Sequence, residues 1–259
     1  AYGRFVDTLA GRYLTTTDVG STGRDMEYIK QETDYVVGLP VTAGGSGDTS
    51  IMTGLGIYMG MKACAKETWG NDSLQGKVVA MQGFGKVATH TAHHLMKEDA
   101  ALVVTDVFDG ALDRARDLGL KVVKPDDIYG IDCDIFAPCA LGGVINPETI
   151  PQLKCKVIAG GANNQLLSES DGEALHRMGI MYGPDYILNS GGIINVESEI
   201  SGIYNADRAR EKTERVYEIM ERVISISKTE EIPSAKAADR LAEERLKSVR
   251  GIRPVYRGN

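Results

Sequence analysis

Six consecutive residues, Gly83-Phe84-Gly85-Lys86-Val87-Ala88, spell G-x-G-x-x-A between an apolar run and an amphipathic stretch. Alone that string is a weak signal. Here it follows the strand-like run KVVAMQ from Lys77 and opens a helical pattern over Lys86–Lys97. Asp106 ends the next apolar run, 23 residues after Gly83. Together these are the parts of a dinucleotide site. Gly83 permits a tight turn. Gly85 removes a side chain where a pyrophosphate must reach the backbone, and Ala88 lets the helix approach the strand. Phe84, Lys86 and Val87 complete the loop, so that the helix start meets the phosphates with unpaired N–H groups and the positive end of its dipole. Asp106 is placed to accept hydrogen bonds from the adenosine ribose hydroxyls. Its charge would repel a 2′-phosphate, and Val107, Phe108 and Asp109 supply no cation to offset it. The expected cofactor is NAD rather than NADP.

Other residues have chemistry available to them. Asp18 stands in Thr15-Thr16-Thr17-Asp18-Val19-Gly20, where a carboxylate beside a nicotinamide could move protons. By its setting alone it reads as a turn residue or helix cap. Two glycine-rich stretches, Cys139-Ala140-Leu141-Gly142-Gly143 and Gly160-Gly161-Ala162-Asn163-Asn164, follow apolar runs. Small residues there would let backbone approach a ligand, and Asn163 or Asn164 could bond an amide or ribose; ordinary loop chemistry explains them equally well. His90 and His94 have the i, i+4 spacing of metal ligands, but no third ligand is identifiable, so a wet helix face and no metal are expected. Cys139 has no partner base and reads as a passive crevice residue rather than a nucleophile.

These residues need a scaffold, and the hydrophobic pattern supplies one. Short apolar runs begin at Lys77, Ala101, Leu120, Cys133 and Lys156, with a sixth possible over Ile180–Tyr182. Helical patterns over Lys86–Lys97, Asp109–Leu118 and Ser168–Met178 alternate with them. Strands apolar on both faces that alternate with helices predict an α/β fold, a Rossmann-type doubly wound, mainly parallel sheet. Ahead of it, Tyr2, Phe5, Val6 and Leu9 predict a helix stopped at Gly11, Arg12–Val19 a strand, Gly38–Asp48 a hinge loop, and Ser50–Lys66 a long helix. Behind it, Asp207–Lys228 and Ser234–Arg250 predict two amphipathic helices, the second capped by Gly251. Composition excludes several classes. The 259 residues carry a net charge of −7 with no basic stripe, which argues against nucleic acid. No apolar stretch approaches the ~18–20 residues of a membrane helix. The four cysteines match neither a disulfide framework nor a zinc pattern, so a reduced, cytoplasmic setting is expected. The first helix lacks an N-cap and the chain begins with Ala1, so an upstream part is expected to be missing.

Longer stretches carry a resemblance. GRYLTTTDVGST from Gly11, QETDYVVG from Gln31, DSLQGKVVAMQGFGKVA from Asp72 and DIYGIDCDIFAPCALGGVIN from Asp127 belong to one ordered set. TIPQLKCKVIAGGANNQL from Thr149, PDYILNSGGIINVESE from Pro184 and AADRLAEER from Ala237 complete it. From Ala1 to about Arg250 the chain resembles the NAD-dependent branched-chain amino acid dehydrogenases, the leucine dehydrogenase branch of the glutamate/leucine/phenylalanine/valine dehydrogenase family. The resemblance implies oxidation of an aliphatic L-amino acid (leucine, valine or isoleucine) by hydride transfer from Cα to the nicotinamide. Hydrolysis of the resulting imine then gives a 2-oxo acid and ammonia. It makes Asp18 the catalytic aspartate, against the reading of its setting alone. It places Thr53 against the nicotinamide amide, Ala140, Asn163 and Asn195 around the cofactor, and Val37, Ile193 and Val196 on the substrate side-chain pocket. It implies a homo-oligomer. It divides the chain into residues 1–47, the end of a substrate domain and hinge; 48–205, the NAD-binding domain; and 206–259, helices packing back across the hinge. One departure matters: the family's catalytic lysine lies in a Gly-Gly-Gly-Lys motif, and none of these 259 residues forms one. The segment Gly44-Gly45-Ser46-Gly47 carries no lysine.

Overall fold

In a computed structural model the structure describes residues 1–18, 20–200 and 203–250. The chain begins with two short helices, α1 (Tyr2–Thr8) and α2 (Gly23–Lys30). α1 buries Gly3 and Val6 and leaves Tyr2 and Phe5 half or more exposed, so its packed face lies one position away from the expected Tyr2/Phe5 stripe. α2 is closed by a capping box in which Thr22 and Asp25 satisfy each other's backbone N–H groups. The expected strand at Arg12–Val19 reduces to one parallel bridge between Thr15 and Val36; Val19 itself lies outside the described residues. The β-branched threonines favour extended backbone, but with a single partner the ladder ends after one step.

α3 (Ser50–Trp69) is apolar nearly all round because it is buried nearly all round. Small residues let its neighbours approach: a Cβ on Gly60 would sit 2.4 Å from Cγ of Leu188. Then the α/β alternation begins: β1 (Val78–Gln82), α4 (Lys86–Lys97), β2 (Ala101–Thr105), α5 (Asp109–Asp117), β3 (Lys121–Val122), β4 (Ile135–Pro138), β5 (Val157–Ile158), α6 (Glu169–Arg177) and β6 (Met181–Tyr182). The six strands form one parallel sheet in the order β3-β2-β1-β4-β5-β6. Alternate side chains part to its two faces. Val79, Met81, Leu102, Val104, Ile135 and Ala137 join the core under α3 and α4, whereas Ala80, Val103, Phe136 and Ile158 join a second core with Ile128, Ile145 and Leu175. Both faces are thus covered, as the continuous apolar strands require.

The order reverses between β1 and β4, and a doubly wound sheet opens its crevice at the carboxyl ends of that pair. Beyond β6 come α7 (Asp185–Leu188), α8 (Gly191–Ile200), α9 (Ala206–Glu214), α10 (Val216–Glu230) and α11 (Ser234–Val249). The single helix expected over Asp207–Lys228 is interrupted at Arg215. The buried Thr213 turns its hydroxyl back on the Ala209 carbonyl (2.8 Å), a contact that bends helices. The break lets α9 lie against α8 while α10 packs on α3. The expected cap Gly251 lies outside the described residues. Among the described residues no helix is long and apolar enough to cross a membrane.

Candidate active site

β1 delivers Gly83 to the crevice floor with φ of +94°, a conformation open to glycine and costly to other residues. Sterics close the alternative as well: a Cβ there would lie 2.8 Å from Cβ of Ala140 and 2.9 Å from its nitrogen. The turn after β1 therefore rests on the turn after β4. Gly83 N–H donates to the Thr105 carbonyl at 2.8 Å and Cys139 N–H to the Gln82 carbonyl at 2.7 Å, joining the ends of β2, β1 and β4. Gly85 is a glycine for another reason. Its φ of −74° suits any residue, and a Cβ would meet nothing within 4 Å. The space in front of it opens on the first turn of α4, whose N–H groups have no partner within the helix. A pyrophosphate fits there: it needs open space, backbone donors and a positive dipole end, and all three converge. Ala88 is buried against the sheet, and the Phe84 ring is wholly buried, so only the Phe84 backbone belongs to the loop surface.

Asp106 follows β2 and has a second task that the spacing alone did not reveal. Its Oδ2 accepts the Phe84 N–H at 2.6 Å and its Oδ1 accepts the Phe108 N–H at 3.0 Å. It locks the loop to the end of β2 while placing its charge at the crevice. Arg114, in α5, escaped the sequence reading because it lies eight residues beyond Asp106 and returns by a helical turn. Its guanidinium donates to the carbonyls of Phe84 and Gly110, each at 3.0 Å. Lys86 extends outward, its ammonium 3.5 Å from Asp48, while the other Asp48 oxygen caps α3 through the Ser50 N–H at 2.9 Å and hydroxyl at 2.6 Å. Burial raises the Asp48 pKa, but the Ser50 bonds and Lys86 outweigh it and hold the carboxyl below its usual range.

Across the crevice the turn after β5 is fixed from beneath. Buried Gln165 donates both amide hydrogens, to Gly160 at 2.9 Å and Ala162 at 3.0 Å. Asn189 donates to Asn163 Oδ1 at 2.6 Å and to the Gly161 carbonyl at 3.3 Å. Asn163, like Ala140, is exposed. Thr53, in the first turn of α3, donates to the Thr49 carbonyl at 2.9 Å and meets the start of α8, where a Cβ on Gly192 would lie 2.7 Å from its hydroxyl. Val87 and Gly161 come together in the same way.

Of the residues expected on the substrate pocket, Val37 and Val196 are buried and Ile193 is 64% exposed. Asp18 is exposed; its backbone N–H donates to the Ser21 hydroxyl at 2.7 Å, and that hydroxyl donates to the Asp18 carbonyl at 2.8 Å. Asn195, expected at the cofactor, is buried with its amide between the Ser46 carbonyl (3.2 Å) and the Tyr204 hydroxyl (2.8 Å). Glu199 was not foreseen; its carboxylate accepts backbone N–H groups from Gly38 and Ser46. Nothing in local spacing marks a contact of that range.

The histidines differ from expectation. His90 and His94 are half-buried against α3, where His94 stacks on Tyr58 with centroids 5.0 Å apart, and burial lowers both pKa values. Both pack against α3, where burial favours the neutral ring, and His93 alone of the three is exposed. Among the described residues no group of three or more His, Cys, Asp or Glu could hold a metal. Burial pushes the Cys139 thiol up to about 11, which keeps it protonated at neutral pH and unfit as a nucleophile.

The chain is similar to known proteins along nearly its whole length. The sequence profile described as Glutamate/Leucine/Phenylalanine/Valine dehydrogenase matches residues 44–124 and 109–250. The chain is 54% identical over 260 aligned residues to a leucine dehydrogenase of Geobacillus stearothermophilus, covering 100% of this chain and 71% of the relative. Identity to a leucine dehydrogenase of Bacillus subtilis is 52%, with the same coverage. The crystal structure of an L-tryptophan dehydrogenase from Nostoc punctiforme superposes with a TM-score of 0.83 at 41% identity, covering 96% of this chain and 71% of that one.

Proposed function

Because the chain belongs to the glutamate/leucine/phenylalanine/valine dehydrogenase family, we propose that it serves NAD-dependent, reversible oxidative deamination of branched-chain aliphatic L-amino acids. The observation that carries the cofactor half is Gly85: an ordinary backbone angle, no protein atom near its missing Cβ, and the first turn of α4 behind it. NAD, when bound, supplies a hydride acceptor. Gly83–Ala88 hold its phosphates, and Asp106 accepts from the ribose hydroxyls through the lone pairs that Phe84 and Phe108 leave available. Thr53, Ala140 and Asn163 border the crevice toward the nicotinamide end. Asn195, buried between Ser46 and Tyr204, acts on the cofactor side by holding the loop at Ser46 rather than by exposure. The aliphatic preference is supported by the identities of 52–54% to leucine dehydrogenases against 41% to the aromatic-substrate relative.

Asp18, which is exposed, exchanges a proton with the substrate amino group in this reading. Val37, Ile193 and Val196 form the wall for the side chain. All are β-branched and stiff at χ1, which makes a medium-sized and rigid boundary. Turnover requires a lysine-bearing segment besides these 259 residues, because the Gly-Gly-Gly-Lys motif is not among them. The isolated 259 residues therefore bind NADH and do not oxidise leucine. Self-assembly belongs to the same reading: Tyr2, Phe5, Tyr13 and Tyr28 each expose about half of their area or more, some of which association would cover. The thiols, none of them paired in a disulfide, suit a reducing, cytoplasmic setting.

The test is kcat/KM for leucine, valine, isoleucine, phenylalanine and glutamate with NAD, in the protein joined to the lysine-bearing segment. Leucine, valine and isoleucine are expected to lead and to lie close together, since one methylene discriminates by only ~1–3 kcal/mol. Phenylalanine or glutamate ranking first would refute the pocket assignment.

A further inference from the structure

Glu199 sits in the last turn of α8 and reaches across the molecule. Its Oε1 accepts the N–H of Gly38 at 2.9 Å and the N–H of Ser46 at 2.7 Å, residues 161 and 153 positions away in sequence. From the same helix Asn195 donates to the Ser46 carbonyl at 3.2 Å, and Tyr204 in turn donates to Asn195 at 2.8 Å. One helix therefore grips both ends of the loop from Gly38 to Ser46. The pocket residues stand beside this grip. Val37 immediately precedes Gly38, and Ile193 and Val196 lie on α8 within two turns of Glu199.

We propose that Glu199 is a positioning residue that fixes Val37 against the α8 wall and so sets the width of the substrate side-chain pocket. The proposal rests on the amino acid dehydrogenase reading for what the pocket holds. The physical argument is one of tethers. Val37 is held on one side by its own N–H to the Thr15 carbonyl at 2.9 Å. On the other side the tether is the Gly38 N–H, donated to Glu199 Oε1 at 2.9 Å. Gly38 has little room to find another position. It holds φ of +77°, and a Cβ there would stand 2.6 Å from the Thr16 hydroxyl. Removing the carboxylate strips the acceptor from two backbone N–H groups at once and releases one of the two tethers on the wall. It touches neither the Gly83–Ala88 loop nor Asp106.

Both bonds end on one oxygen, so a glutamine carbonyl can receive both, and the requirement is for an acceptor rather than a charge. In the protein joined to the lysine-bearing segment, Glu199→Ala should raise KM for leucine at least about tenfold while kcat and the NADH Kd stay within about threefold. The leucine-to-phenylalanine ratio of kcat/KM should fall at least about fivefold as the pocket loosens. Glu199→Gln should restore KM and ratio to within about threefold of the parent. A second readout needs no turnover. Amide hydrogen exchange at Gly38 and Ser46 should be protected in the parent chain and in Glu199→Gln and fast in Glu199→Ala. Unchanged KM and selectivity in Glu199→Ala overturns the proposal. So does equally slow exchange at both amides, NADH affinity lost in step with leucine, or Glu199→Gln as damaged as Glu199→Ala. If the parent does not oxidise leucine, the functional reading falls by itself, and the exchange measurement still decides whether Glu199 holds the loop.

Discussion

The cofactor loop occupies six consecutive residues, Gly83–Ala88, whereas the pocket side joins Val37 to α8 through a bond spanning 161 positions. In the first region geometry is dictated locally. A positive φ and a neighbouring Ala140 exclude every side chain at Gly83, and open space in front of α4 explains Gly85. In the second region Gly38 alone is forced, by a φ of +77° and the nearby Thr16, while no neighbour in sequence dictates Val37, Ser46, Asn195 or Glu199. Val37, Gly38, Ser46, Asn195 and Glu199 come together because the sheet and α3 fix where α8 begins, and backbone donors then meet a remote carboxylate. A ligand site made of backbone announces itself in a short motif; a pocket made of side chains from distant elements does not.

The contrast can be tested at its extremes, and the largest effect is expected on the pocket side. In the protein joined to the lysine-bearing segment, Asp18→Asn should lose ~10²–10⁴-fold in kcat, the usual contribution of a general acid–base group, with NADH affinity unchanged. Stopped-flow or steady-state kinetics with a parallel NADH titration reads this. A loss below about tenfold would return Asp18 to a turn residue shaped by Ser21.

Next come the two glycines of the loop, which should separate cleanly. Gly83→Ala forces an L-residue into a left-handed angle against Ala140 and should cost ~1–3 kcal/mol of stability together with NADH binding. Gly85→Ala meets no protein atom, so its thermal midpoint should match the parent while NADH affinity falls by roughly tenfold or ~1.4 kcal/mol. Equal damage to the fold by both substitutions would show that the space at Gly85 does not serve a ligand.

The pocket wall offers a smaller and graded effect. Val196 is 3% exposed, so Val196→Ala should destabilise by ~1.5 kcal/mol from two lost methyl groups while shifting preference toward larger side chains. Ile193 is 64% exposed, so Ile193→Gly should cost only ~0.5 kcal/mol through helix propensity and shift the preference in the same direction. Calorimetric melts and kcat/KM for leucine and phenylalanine separate the two. If neither changes selectivity, these residues do not line the pocket.

Much of the architecture was legible because the β-α alternation is strongly periodic. Lys86–Lys97 and the run of strand starts were readable from apolar runs bounded by glycine. What was not legible has physical causes. α8, for which no helix was expected, begins at Gly191-Gly192; the glycines are there because α8 crosses α3 so closely that a Cβ on Gly191 would strike the Met52 backbone. The break at Arg215 depends on which way the Thr213 hydroxyl turns, which no periodicity encodes. Asp106 was found by spacing, but its bond to the Phe84 N–H was not, because that bond exists only once β1 and β2 lie side by side. His90 and His94 looked wet on a helix considered alone and became packed when α3 was added.

Asp106 also sets the smallest expected effect and leads to the most direct test. Asp106→Ser removes the charge that opposes a 2′-phosphate and also the acceptor for two loop N–H groups. It should therefore narrow the preference for NADH by a few-fold, up to roughly tenfold, rather than reverse it. The decisive measurement is a fluorescence titration of the unaltered 259-residue chain with NADH and with NADPH under identical salt. NADH should bind and NADPH should bind at least about tenfold more weakly, because in the proposed pose the Asp106 carboxylate would face the 2′-position and the Arg114 guanidinium beside the loop is engaged with the Phe84 and Gly110 carbonyls. NADPH binding as tight as NADH or tighter, or no binding of either, would contradict the account.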